Sequence, residues 1–228
     1  MYNKYFKRLF DILCASAAIV VFCWLYAIVA ILVRIKIGSP VIFKQARPGK
    51  NGKIFYLYKF RTMTNQTDAA GRLLSDEERL LPFGRFLRKT SLDELPEAFN
   101  ILKGDMSVVG PRPQLVRDMV FMTDKQNQRH MVRPGLSGLA QINGRNGITW
   151  EQKLDLDLEY IQKITFWDDI KIIFLTVWKA FVKSEGISQE GMDTAEDFGD
   201  WLLREQKIDQ EYYNEKIEEA QELIALKG

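Results

Sequence analysis

Ile12-Leu13-Cys14-Ala15-Ser16-Ala17-Ala18-Ile19-Val20-Val21-Phe22-Cys23-Trp24-Leu25-Tyr26-Ala27-Ile28-Val29-Ala30-Ile31-Leu32-Val33 is a run of 22 residues without a formal charge. A helix rises ~1.5 Å per residue and a bilayer core is roughly 30 Å thick, so this run is long enough to enter or cross one. It lacks the one-sided pattern of an ordinary amphipathic core helix, which is the alternative. A cleaved leader is disfavoured, because Arg34 and Lys36 follow at once and no small-x-small site does. The expectation is a membrane-embedded N-terminal helix, with the remaining chain folded beside it.

The flanks bear on topology. Lys4, Lys7 and Arg8 precede the run, and Arg34, Lys36, Lys44 and Arg47 follow it. Positive charge marks the cytoplasmic side, so a simple crossing would leave one cluster misplaced. A re-entrant helix satisfies both flanks, a span is the alternative, and the main body is cytoplasmic in either case. Asp11 reads as a local ion-pair partner of Lys7 and Arg8. The net charge of +2 hides an asymmetry: residues 1–188 hold 28 basic and 18 acidic side chains, and residues 189–228 hold 4 and 12. A basic body suits a phosphate-bearing substrate or an anionic surface. The two cysteines lie in the apolar run and the one histidine is His130, which excludes a disulfide framework and a Cys/His metal site.

Outward from the run, Val41–Lys44 and Ile54–Phe60 read as strands joined through Arg47-Pro48-Gly49 and Asn51-Gly52, which is hairpin chemistry. Alternation puts Phe55, Leu57, Lys59 and Arg61 on one face, with Lys59 and Arg61 either a solvated basic edge or a phosphate clamp. Residues 64–79 read as a polar loop leading into a short helix, and 83–89 as an amphipathic turn ending in Arg88 and Lys89. Thr90-Ser91-Leu92-Asp93-Glu94-Leu95-Pro96-Glu97 then carries two adjacent carboxylates. Ser91-x-x-Glu94 fits a capping box. Asp93 falls in the first helical turn, where a helix dipole lowers a carboxyl pKa. Pro96 removes a backbone hydrogen bond and is expected to distort that turn. The helix is expected to stop near Gly104.

Arg112, Arg133 and Arg145 each sit in a Pro- or Gly-rich loop, in Gly110–Pro113, Arg133–Gly135 and Asn143–Gly147. Stiff or tight backbone brings planar, bidentate donors close to an anion, and three such loops are hard to read as solvated surface. Trp150–Ile164 reads as a helix whose Asp155, Asp157 and Glu159 form a solvated face or orient the arginines. The apolar stretch 172–181, edged by Trp and Lys, reads as an interfacial helix, with a core helix as the alternative. The acidic 195–226 is expected to give one or two tail helices packed on the body or on a partner. The expected division is a membrane helix with its flanks at 1–39, a cytoplasmic domain at 40–188 and an acidic tail at 189–228. The fold class is α+β, mostly helical: the embedded helix, a β-hairpin and interfacial amphipathic helices around a small core.

Taken together, Lys7–Asp11, Val41–Phe43 with Arg47–Gly49, Tyr58–Met63, Thr90–Pro96, Leu102–Pro113, Arg133–Gly138 and Gln141–Arg145 resemble the bacterial sugar transferase family. The likeness is to its small monotopic polyprenyl-phosphate phosphoglycosyl transferases of the PglC type, and it covers about residues 1–188. The resemblance implies transfer of a sugar 1-phosphate from a nucleoside-diphosphate sugar to a polyprenyl phosphate such as undecaprenyl phosphate, with release of the nucleoside monophosphate. It implies a UDP-sugar donor, UMP as product and an early membrane step of glycoconjugate assembly at the cytoplasmic face of the bacterial inner membrane. It assigns Asp93 as nucleophile and metal-linked residue, Glu94 beside it, and Mg2+ as cofactor. Lys59, Arg61, Arg88, Arg112, Arg133 and Arg145 are the candidate anion-binding residues, with Asp157 and Asp169 in support. Membrane lipids are expected partners and nucleic acid is not.

One departure bears on topology. Family members break the apolar segment with a Ser-Pro pair, where this chain has Cys23-Trp24 and no proline before Pro40. A helix without proline has less cause to kink. The competing functional class is a non-catalytic membrane adaptor whose basic face holds anionic lipids. A nucleic-acid module accounts for the basic body but not for the apolar run or the Asp-Glu pair.

Overall fold

The computed structural model describes residues 2–144, 147–182 and 196–227. After a π-helical turn, one helix, α1 (Lys7–Lys36), takes up the whole apolar run without interruption. It is long and apolar enough to cross a membrane. Both of its ends pack on the same body. Near the start, Ala15 joins Phe55, Leu57, Ile101 and Met106. Near the end, Val29, Val33 and Ile37 join Phe60 and Leu87. Between them Val20, Val21, Phe22, Cys23 and Trp24 are all exposed.

Side chains at the start of α1 do more than carry charge. Lys7 pairs with Asp169 at 2.5 Å. Arg8 donates to the carbonyls of Ile101 and Leu102 at 2.6 and 2.9 Å. Asp11 accepts from Ser107 Oγ and the Val108 backbone N–H at 2.8 and 2.9 Å. The local Asp11 ion pair expected from the sequence is therefore replaced by tertiary contacts. A buried carboxylate gains more from two fixed donors than from a flexible neighbour on its own helix.

The hairpin is antiparallel, β1 (Ile42–Pro48) against β2 (Ile54–Phe60), with Ile42 opposite Phe60 and Pro48 opposite Ile54. The far edge of β2 is covered by the next helical segment rather than by a third strand. Short helices α2 (Asp76–Arg79) and α3 (Pro82–Lys89) lead to it. The segment divides into a 3₁₀ turn, Leu92–Glu94, and helix α4 (Glu97–Lys103), with Pro96 at the α4 N-cap. A proline fits a helix start and not its interior, which is why the expected single helix splits here. Gly104 closes α4 at φ 91°. A second, parallel pair joins β3 (Ser107–Val109) to β4 (Gly135–Ser137). Backbones meet closely there: a Cβ on Gly135 would lie 2.0 Å from the Gly110 nitrogen.

The rest is helical. α5 (Val116–Met119) and α6 (Asp124–Asn127) come between β3 and β4. After β4 come α7 (Leu139–Ile142), α8 (Trp150–Gln162) and α9 (Phe166–Val182). α9 buries Ile172 and exposes Trp167, Phe174, Val177 and Trp178, a face suited to a membrane interface. The tail forms α10 (Phe198–Arg204) and α11 (Gln210–Ala225). Phe198 and Ala220 complete a core with Val116, Phe121, Trp150 and Leu154, so these tail helices pack on the body. Small sheets within a mostly helical chain make the fold α+β, as the sequence suggested.

Candidate active site

Lys59 and the segment 93–97 form the centre. Lys59 lies on the β2 face that carries Phe55 and Leu57, as period two requires. Its Nζ stands 2.8 Å from Glu94 Oε1, 3.3 Å from Glu97 Oε1 and 3.9 Å from Asp93 Oδ2. One ammonium thus serves three carboxylates. Glu94 Oε1 also accepts from Arg112 Nη2 at 2.6 Å. Arg88 Nε donates to Thr62 Oγ1 at 3.1 Å, and its charge acts on Asp93.

Asn100 sets the register. Its Nδ2 donates to the Tyr56 carbonyl at 2.7 Å and its Oδ1 accepts from the Tyr58 N–H at 2.9 Å. The amide thereby replaces one residue of a missing strand on the free edge of β2. Since Asn100 is one turn from Glu97 on α4, this lock fixes the acids against Lys59. At the other end of α4, Arg133 Nε donates to the Gly104 carbonyl at 2.8 Å. Arg8 holds the carbonyls of Ile101 and Leu102, so two cations cap the negative end of this helix.

The carboxylates are not equivalent. Asp93 is 6% exposed, its Oδ1 has no hydrogen-bond partner among the described residues, and its pKa is raised to about 6. Burial is the main cause and the charge of Glu94 adds to it, against Lys59, Arg88 and Arg112. This corrects the expectation of a depressed pKa: Asp93 sits in a buried 3₁₀ turn, not at the mouth of an α-helix, and desolvation outweighs any dipole. Asp93 is still mostly ionised at neutral pH. Burial also acts against charge on Glu94, but Arg112 and Lys59 prevail and hold it well below the usual carboxylate range. Glu97, 2% exposed, is pushed up to about 7 by burial, which Lys59 opposes and Glu94 reinforces.

The Ser91 capping box does not form. Ser91 has φ 55° and no side-chain cap bond, while Glu94 faces Lys59 and Arg112. Arg61 is buried with its donors on the carbonyls of Met63 and Ser39, so it holds backbone and makes no clamp with Lys59. Arg133 likewise is committed to Gly104. Arg145 lies outside the described residues. Asp157 is not on a solvated face: it is buried and accepts from Arg129 at 2.6 and 3.0 Å. Arg129 Nη2 also donates to the Arg112 carbonyl at 2.7 Å, so Asp157 orients the arginine loop at one remove. Asp169, fully buried, accepts from Lys7, Tyr2 and Tyr160 and anchors the chain start to α9.

Glu97, Asn100 and Arg129 were not singled out by the sequence. Glu97 was within reach of pattern reading, three residues past Glu94 and just after a proline. Asn100 and Arg129 carry no local signal, because their partners lie 42 and 28 residues away.

Among the described residues no three acidic, His or Cys side chains form a ready metal cage. Mg2+ does not need one: it keeps several waters and binds through one or two carboxylates plus substrate phosphates. The buried Asp93 Oδ1, without a hydrogen bond among the described residues, and Glu97, whose Oε1 has the Lys59 ammonium 3.3 Å away, suit that mode of binding.

A sequence model of the bacterial sugar transferase family matches residues 2–183. An uncharacterized sugar transferase, EpsL, of Bacillus subtilis is 54% identical over 195 residues, covering 84% of this chain and 95% of its own. A UDP-glucose:undecaprenyl-phosphate glucose-1-phosphate transferase of Klebsiella pneumoniae is 42% identical over 79% of this chain. An undecaprenyl-phosphate galactose phosphotransferase of Salmonella typhimurium is 35% identical over 81%. The matched region is 41% and 42% of those two longer relatives.

Proposed function

The chain belongs to the bacterial sugar transferase family, and on that premise we propose that it moves a sugar 1-phosphate from a UDP-sugar to polyprenyl phosphate. An Asp93 carboxylate oxygen attacks the phosphorus that bears the sugar. The bond from that phosphorus to the bridging oxygen breaks, and UMP leaves. A phosphate oxygen of the polyprenyl phosphate then attacks the aspartyl phosphosugar, forming the lipid diphosphosugar and restoring the carboxylate. Mg2+, bound through Asp93 and Glu97, would act as a Lewis acid that spreads charge on the transferring group.

The observation that carries this reading is the inequality of the acids. Glu94 takes the strong donors of Lys59 and Arg112, while Asp93 Oδ1 is left without a hydrogen bond among the described residues. An uncommitted carboxylate beside held cations is an activated nucleophile. With Glu94 fixing them, Lys59 and Arg112 are preorganised for charge on the phosphoryl oxygens. Both ends of α1 meet the same body while residues 20–24 stay exposed. That arrangement supports a re-entrant helix whose midpoint reaches into the bilayer, with the body on the cytoplasmic face.

The test is UMP release from a panel of UDP-sugars, glucose and galactose first because the named relatives use hexoses, then N-acetylated sugars. The native chain should release UMP with polyprenyl phosphate and Mg2+ present, and Asp93→Asn should not. Equal release by Asp93→Asn removes the nucleophile assignment, and no release from any donor favours the membrane-adaptor reading.

A further inference from the structure

A second site lies on the other side of β2 from the acids. It is a groove of about 840 Å³ between α1, the hairpin and α4. Tyr26, Ala27 and Ala30 of α1 form one wall, and Ile42, Phe60 and Phe99 the others. The mouth is polar and basic. Lys103 Nζ donates to Tyr58 Oη at 2.9 Å and lies 4.9 Å from the Tyr58 ring centre. Lys44 Nζ lies 5.8 Å from the same ring. Lys103 is 4.0 Å from Asp105, and among the described residues no carboxylate pairs with Lys44.

We propose that this groove holds an anionic phospholipid, distinct from the lipid acceptor, with an acyl chain in the trough and its phosphate on Lys44 and Lys103. Its apolar walls belong in part to the membrane helix, so hydrocarbon rather than water is the matched filling. Two ammonium groups at the mouth, each within 6 Å of the Tyr58 ring centre, select a negative head group. The head group cannot be the reacting phosphate. Side chains alternate along β2, so Tyr58 and Phe60 face the groove while Lys59 faces Asp93, and the strand separates the two. The occupant would still act on the catalytic segment. Pro96 lines the groove, and Tyr26 Oη donates to the Leu95 carbonyl at 2.6 Å. A chain lying against both would brace the turn that carries Asp93.

The inference rests on α1 residing in the membrane and not on the transfer reaction. The full chain is reconstituted in bilayers of phosphatidylglycerol and phosphatidylcholine, released, and its retained lipid counted by native mass spectrometry. One phosphatidylglycerol per chain should be retained in preference to phosphatidylcholine. The Lys44→Gln/Lys103→Gln pair should lower retention about thirtyfold, the scale set by two lysines at an anionic lipid surface. Ala27→Trp, which fills the trough and leaves the charges, should lower it comparably. In both variants the KM for polyprenyl phosphate should stay within about twofold, since neither touches the acid side of β2. Unchanged retention in either variant overturns the proposal. So does displacement of phosphatidylglycerol by one equivalent of polyprenyl phosphate, which would make the groove the acceptor site. Normal retention in a chain that releases no UMP contradicts the proposed function alone.

Discussion

Replacing Lys59 by Met removes the ammonium that the acids share and keeps the packing length of the side chain. At 3.9 Å from Asp93 Oδ2, a unit charge contributes about 4 kcal/mol at an effective dielectric of ~20. That is equivalent to roughly three pKa units as an upper bound. Arg88 and Arg112 remain in Lys59→Met and also favour the ionised form, so a rise of about one to two units is expected. From a starting value of about 6, Asp93 would then titrate at about 7 to 8. Its ionised fraction at pH 7 would fall from about nine-tenths to between half and one-tenth. The assay is single-turnover formation of the phosphosugar-enzyme with acceptor omitted, followed by intact mass from pH 5 to 9. The native rate should rise with an apparent pKa near 6, a property of the coupled acid cluster rather than of one group. Lys59→Met should be slower at pH 7 and should recover part of the difference as pH rises. An unmoved or lowered apparent pKa in Lys59→Met would refute the electrostatic reasoning.

Glu97→Gln should stabilise the chain at pH 8 and change little at pH 5. The folded pKa of Glu97 is raised to about 7, so the folded state keeps a proton that the unfolded state loses from about pH 4.5 upward. Stability therefore falls across that window, by at most about 3 kcal/mol, and urea unfolding at the two pH values measures it. Asn100→Ala should cost about 2 to 4 kcal/mol by the same measurement, because the Tyr56 carbonyl and Tyr58 N–H lose their partner on the β2 edge. Phe198→Ala should cost about 3 to 5 kcal/mol by opening a cavity between Trp150 and Trp201. A cost under about 1 kcal/mol would mean that the tail adds little to the body's core.

The elements governed by local chemistry were legible in the sequence. The hairpin follows from alternation and turn residues, the α4 stop from Gly104, and the tail helices from their apolar spacing. Reading failed where tertiary partners override a local pattern. Ser91 and Glu94 have capping-box spacing, yet Glu94 is drawn to Lys59 and Arg112, where a buried ion pair outweighs a backbone cap. The arginines show the same limit. Arg112, Arg133 and Arg61 look alike as cations in turn-rich or strand-end sequence. Only the fold decides that Arg112 faces the acids while Arg61 and Arg133 hold carbonyls. Conversely, Arg129 positions the Arg112 loop from a segment with no motif. Lys7 and Arg8 were read for topology and Asp11 as their local partner, and all three also act as packing groups, since each reaches a partner more than 90 residues away.

The most direct test of the central claim is to mix the chain with a UDP-sugar and Mg2+ in the absence of acceptor and map the adduct by peptide mass spectrometry. Covalent catalysis by Asp93 predicts a sugar-phosphate mass increment on the peptide containing that residue, removed on addition of polyprenyl phosphate and absent in Asp93→Asn. An adduct on another residue, or steady UMP release by a chain that never carries the increment, would contradict it.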